Sequence, residues 1–111
     1  MAILSSHLLN SVDGTHASGV KVTINQINSL GAKKIFFKTE TDNDGRILKD
    51  FKLSNDDCRC DYEMVCKTAD YFSKKKIVSE IIIKFRMEDP EKKYHLPIII
   101  SPNGYSIWWS Q

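Results

Sequence analysis

Nothing in these 111 residues amounts to a disulfide framework, a membrane span or a strong charge of one sign. The cysteines number three, Cys58, Cys60 and Cys66, and an odd count argues against paired bridges. No Cys-x-x-Cys pair and no closely spaced His-x-x-x-His occurs, so neither a zinc site nor any other cofactor is expected. No stretch approaches the roughly eighteen apolar residues of a membrane-spanning helix. The opening MAILSSHLLNSVDG has no basic n-region and no long apolar h-region, which reads as a cytoplasmic chain without a secretory signal. Sixteen basic residues nearly balance fourteen acidic ones, and a net charge of +2 gives no footprint for nucleic acid or an anionic membrane. The clusters Lys33-Lys34, Lys74-Lys75-Lys76 and Lys92-Lys93 read as solvated edges. Repeats, linkers and low-complexity segments are lacking as well. What remains is one globular domain spanning 1–111, with 41% apolar residues and length enough for its own core.

The pattern within it is mostly strands. Residues 3–10 read as a first strand, closed by a Ser-Val-Asp-Gly turn. Residues 20–27 alternate through Val20, Val22 and Ile24, then slip in register to Ile27. A third strand covers 34–41. The stretch TDNDGR at 41–46 is dense in turn formers and leaves Arg46 just past a tight turn, with Ile47-Leu48 as a short strand at best. Strands follow at 61–67, 80–87, 94–101 and 105–109, and 68–75 reads as a short helix capped by Thr68. In a continuous strand Cys58, Cys60 and Cys66 would share a face with Tyr62 and Met64, and Cys66 fits core packing. Seven or eight short strands with one helical insert predict a sandwich or barrel.

Two of these strands are apolar on both faces, where a sandwich strand needs only one. Leu96, Ile98 and Ile100 alternate with His95, Pro97 and Ile99; in the first strand Leu4 and Leu8 alternate with Ile3, Ser5, His7 and Leu9. In the last strand Ser106 and Trp108 share one face. One face packs on the sister sheet, and the other predicts cover by a second copy of the chain. His7 and His95 sit on that outer face. Two imidazoles can exchange a proton near neutral pH, and Arg46 can hold an oxygen on which negative charge develops. Those groups suit the addition of water to an acyl carbon. His16, in the Gly14–Gly19 loop, is given no role.

The segments LSSHLLNSVDGTHASGV (4–20), TDNDGR (41–46), YEMVCKTADYF (62–72) and YHLPIIISPNGYS (94–106) resemble the 5-hydroxyisourate hydrolases, the enzyme branch of the transthyretin-like proteins. The likeness runs in order over almost the whole chain. It implies an all-β, transthyretin-like sandwich of two four-stranded sheets with one short helix, assembled as a homotetramer, a dimer of dimers. It further implies hydrolytic opening of a small cyclic amide, 5-hydroxyisourate, in a channel between dimers. By motif the catalytic set falls on His7, Arg46 and His95; a companion histidine of the family becomes Lys93. Transthyretin, the carrier branch, lacks these histidines and this arginine. The family's terminal Tyr-Arg-Gly-Ser aligns with Trp108, Trp109, Ser110 and Gln111, so Trp108 is expected to pack on the substrate ring without a phenol. The altered tail keeps two other readings in view: the same His/His/Arg set acting on a different small heterocyclic metabolite, and a non-catalytic tetrameric module holding an aromatic ligand.

Overall fold

The computed structural model describes residues 1–73 and 77–108. Eight strands appear in chain order: β1 (Ala2–Asn10), β2 (Lys21–Ile27), β3 (Lys33–Glu40), β4 (Arg46–Phe51), β5 (Asp61–Cys66), β6 (Ile81–Arg86), β7 (Lys93–Ser101) and β8 (Gly104–Ile107). A single turn of 3-10 helix at Asp57–Arg59 precedes β5, and the helix α1 (Thr68–Phe72) follows it. They form two four-stranded sheets, ordered β4-β1-β7-β8 and β3-β2-β5-β6. This is the transthyretin-like sandwich that the sequence resemblance implied.

Alternation decides which side chains meet between the sheets. Ala2, Leu4 and Leu8 of β1 and Leu96, Ile98 and Ile100 of β7 enter the core from one sheet; Val22, Ile24, Tyr62, Met64, Cys66 and Ile81 meet them from the other. Burial pushes the Cys66 thiol up to about 12, so it packs as a neutral apolar group. The slip read at the end of β2 is a register irregularity against β3 between Ile24 and Asn25, after which Gln26 and Ile27 are both buried. Gln26 enters the interior because its amide donates to the Tyr62 hydroxyl (2.9 Å) and to Asp57 Oδ1 (2.9 Å).

Three local expectations change. β4 runs for six residues although only Ile47 in it is buried. Its register comes from antiparallel pairing with β1, Ala2 with Phe51 through His7 with Arg46, and not from a pattern of its own. Thr68 does not cap α1: Lys67 holds the cap position, and the buried Thr68 hydroxyl has no hydrogen-bond partner. Cys58 and Cys60 lie in and just after the 3-10 turn, so they share no strand face with Cys66. The Lys74-Lys75-Lys76 cluster, the last two residues of the expected helix, and Trp109, Ser110 and Gln111 lie outside the described residues. Among the described residues no helix is long and apolar enough to cross a membrane.

Candidate functional site

The site is built on the outer face of the first sheet. β1 and β7 run parallel in its centre, with Ser5 opposite His95 and His7 opposite Pro97; β4 flanks β1 with Arg46 opposite His7. Opposed residues of neighbouring strands project to the same face. The register therefore delivers His7, Arg46 and His95 to one patch. The core-facing residues of β1 are buried, while Ile3, Ser5, His7 and Leu9 on this face are only half-buried. Arg46 is exposed.

The turn before β4 fixes where Arg46 starts. Asp42 Oδ1 accepts the backbone N–H of Asp44 and of Arg46, both at 2.9 Å, an Asx-type closure that a side chain without a short acceptor would lose. These N–H donors hold the Asp42 carboxyl below its usual range, led by that of Arg46. Gly45 has φ +71°, and a Cβ there would run into the Leu8 carbonyl and the Ala17 backbone. Only glycine lets the turn press this closely on β1, so Gly45 sets how near the backbone of Arg46 starts to that strand. Among the described residues no carboxylate forms an ion pair with Arg46.

Each histidine has a partner. His95 Nδ1 lies 2.8 Å from Ser5 Oγ. This contact orients the imidazole and leaves Nε2 as its other proton-handling atom. His7 Nε2 lies 2.9 Å from Nδ1 of His16, with ring centroids 5.0 Å apart. Partial burial, the Arg46 guanidinium and the neighbouring His16 all push the His7 pKa down, with a smaller push from His95, against a backbone contact with Asp44 that favours the charged ring. His7 thus stays neutral, and able to accept a proton, below the pH at which an ordinary histidine charges.

Trp108 follows β8, in which Ser106 stands opposite Ile99 on this same face. Its side chain is 46% exposed. Among the described residues no ring contact or hydrogen bond joins it to His7, Arg46 or His95, so the single chain does not bring it into the cluster. Ser5 and His16 are the two groups of the site that the sequence reading passed over. Ser5 was visible as a small polar residue two places from His7 on the same face. His16 was not, because its position depends on how the loop after β1 folds back. The Asp13 carboxylate accepts the N–H and the hydroxyl of Thr15, at 3.0 and 2.7 Å, and tightens the reversal.

Comparison with known proteins follows the same outline. A model of the HIUase/Transthyretin family matches residues 4–109. A 5-hydroxyisourate hydrolase of Halalkalibacterium halodurans is 30% identical over 112 residues, covering 95% of this chain and 94% of that protein. A 5-hydroxyisourate hydrolase of Salmonella typhimurium is 34% identical over 109 residues, 96% of this chain and 79% of the relative. Among solved structures, the 5-hydroxyisourate hydrolase of Klebsiella pneumoniae superposes with a TM-score of 0.81 at 25% identity, covering all of both chains. Transthyretin from Sparus aurata superposes with a TM-score of 0.83 at 21% identity, over 96% of this chain and 95% of that one, a likeness of fold.

Proposed function

The chain belongs to the HIUase/transthyretin family, and from that premise we propose that it is a hydrolase that opens the cyclic amide of 5-hydroxyisourate in purine degradation. The observation that carries this reading is the convergence of His7, Arg46 and His95 on one sheet face, with no ion pair from a carboxylate to the guanidinium among the described residues. His7 and His95 orient a water molecule and take its proton as its oxygen attacks the ring carbonyl carbon. Arg46 holds the carbonyl oxygen and stabilises the charge that grows on it; one such donor is worth about 3 kcal/mol in a transition state. Collapse of the tetrahedral intermediate breaks the C–N bond, and the protonated imidazole returns its proton to the leaving nitrogen. Lowering of the His7 pKa keeps the base neutral near pH 7.

The assembly is a homotetramer, a dimer of dimers, in the cytoplasm. What supports it is the outer face of the first sheet: Ile3, Leu9 and Ile99 are half-covered, Leu48 is 75% exposed, and Trp108, just past β8, is 46% exposed. A second copy over this face would turn an open surface into a water-restricted channel and bring Trp108 against the substrate ring. The indole there, in place of the family's phenol, favours a second reading: the same three groups acting on another small heterocycle.

The test generates 5-hydroxyisourate from urate with urate oxidase and follows its decay by ultraviolet absorbance. Acceleration by this protein, lost in His95→Asn, is the expected result. A correctly assembled protein that leaves the decay unchanged overturns the reading. Restoration of activity by a Tyr-Arg-Gly-Ser tail would then move the difference to substrate choice.

A further inference from the structure

His16 stands outside the His/Arg/His set, yet the fold takes trouble to place it. β4 accompanies β1 only as far as the His7–Arg46 pair. Beyond that point residues 15–17 fold back and take its place along β1. Thr15 O accepts from Asn10 N and Leu8 O accepts from Ala17 N, each at 2.8 Å, and Leu9 and His16 form an antiparallel bridge. Residues opposed in such a bridge share a face, so His16 emerges beside Leu9, on the side that carries His7. Ala17 is fully buried, and its carbonyl accepts the Thr41 hydroxyl at 2.6 Å, while the Thr41 hydroxyl oxygen accepts Val20 N–H at 2.8 Å. The backbone on the C-terminal side of His16 is thereby locked into the core, while the ring itself is exposed and reaches His7 Nε2 at 2.9 Å.

We propose that His16 is a positioning residue of the hydrolytic site, holding the His7 ring through Nδ1···Nε2 and sharing the proton that His7 takes up. The inference rests on the hydrolase reading above. A contact between two imidazole nitrogens needs one proton between them, so one ring donates and the other accepts. As the outer nitrogen of His7 takes a proton from water, Nε2 passes one to His16 Nδ1; the pair holds that added positive charge until the shift reverses and His7 gives the proton to the leaving nitrogen. The groups facing His7 are Arg46 from β4, His95 from β7, His16 from the returning loop, and Asp42 with the Asp44 backbone from the turn before β4. Of the acids, Asp42 is held by backbone donors of its own turn, which leaves His16 as the ring partner of His7.

The test compares the parent with His16→Ala and His16→Asn, the second retaining a polar atom near the Nδ1 position. His16→Ala is expected to lower kcat by about 10- to 100-fold with KM close to that of the parent, the size associated with losing the group that orients a catalytic residue. His16→Asn is expected to recover most of that loss while moving the acid limb of the kcat/KM profile to higher pH, since the downward push of His16 on the His7 pKa is lost. Side-chain nitrogen NMR of labelled histidine reads the pairing without turnover: the His7 midpoint rises in both variants. An unchanged kcat and pH profile in His16→Ala overturns the proposal, as do identical His7 ring spectra in all three proteins. A parent without any turnover overturns the hydrolase reading instead, and the ring spectra then decide the pairing by themselves.

Discussion

The outer faces of the two sheets use charge in opposite ways. On the second sheet the charges are matched: Lys33 with Glu63 at 3.1 Å, Lys67 with Glu80 at 2.6 Å and Arg86 with Asp61 at 2.8 Å. Glu63 is only 3% exposed and also accepts from the Asn25 amide at 3.1 Å. On the first sheet three imidazoles and a guanidinium gather with no ion-pairing carboxylate among the described residues. Charge that is satisfied internally serves the fold. Charge and proton-binding capacity left facing outward serve a ligand that brings its own oxygen. The same strand geometry underlies both faces, so the difference lies in which residues the alternation exposes.

The largest effect expected from this contrast is on the first sheet. His95→Asn or His7→Ala should lower kcat by about 10²- to 10⁴-fold, as loss of a general acid–base group does, with a thermal midpoint within a few degrees of the parent. A comparable loss of stability would make these rings structural and erase the distinction. Arg46→Gln should cost about 100-fold in kcat, near 3 kcal/mol; Arg46→Lys should recover only part, because an ammonium lacks the planar fork. Gly45→Ala tests the scaffold beneath both. A positive φ and a blocked Cβ position predict a loss of about 1–3 kcal/mol in chemical unfolding, together with reduced activity.

The second sheet should behave in the reverse sense. Glu63→Gln should lower stability by roughly 1 kcal/mol, a shift of a few degrees in the thermal midpoint, and leave turnover of the substrate unchanged. The Asn25 amide first, then Lys33, depresses the Glu63 pKa in the folded chain. The unfolded chain therefore binds protons more readily, and this contribution is present above the ordinary glutamate pKa and fades as pH falls through the depressed one. His7 gives the smallest and most diagnostic signal. Its folded pKa lies below 6.5, so the neutral ring is favoured by folding, stability declines as pH falls from 6.5 toward the lowered value, and the acid limb of kcat/KM should have its midpoint below 6.5. A midpoint above 6.5 would contradict the environment described for this ring.

Much of this contrast could be read from the sequence. Period-two alternation in 3–10 and 94–101 assigned Leu4, Leu8, Leu96, Ile98 and Ile100 to the core and His7 and His95 to the opposite face, because strand geometry leaves no other choice. Arg46 was legible from the Asp42-to-Gly45 turn chemistry. β4 was not, since an edge strand with one buried residue carries almost no pattern; its neighbour β1 supplies the register. His16 was illegible for a related reason. A histidine in a six-residue glycine-bounded loop says nothing until one knows that the loop continues a sheet, although the Asp13-Gly14 reversal, with Asn10 and Thr15 flanking it, is the signal that could have suggested so. Thr68 shows the converse: its type suits a helix cap, but tertiary packing buried its hydroxyl without a partner.

The parallel pairing of β1 with β7 joins residues 90 positions apart. A ribosome emits β1 first, and at about 5–20 residues per second its central partner emerges several seconds later. Throughout that interval one flank of β1 has open backbone hydrogen-bonding groups beside an apolar surface, so nascent or truncated chains should be the form of this protein most prone to aggregate and most in need of a chaperone.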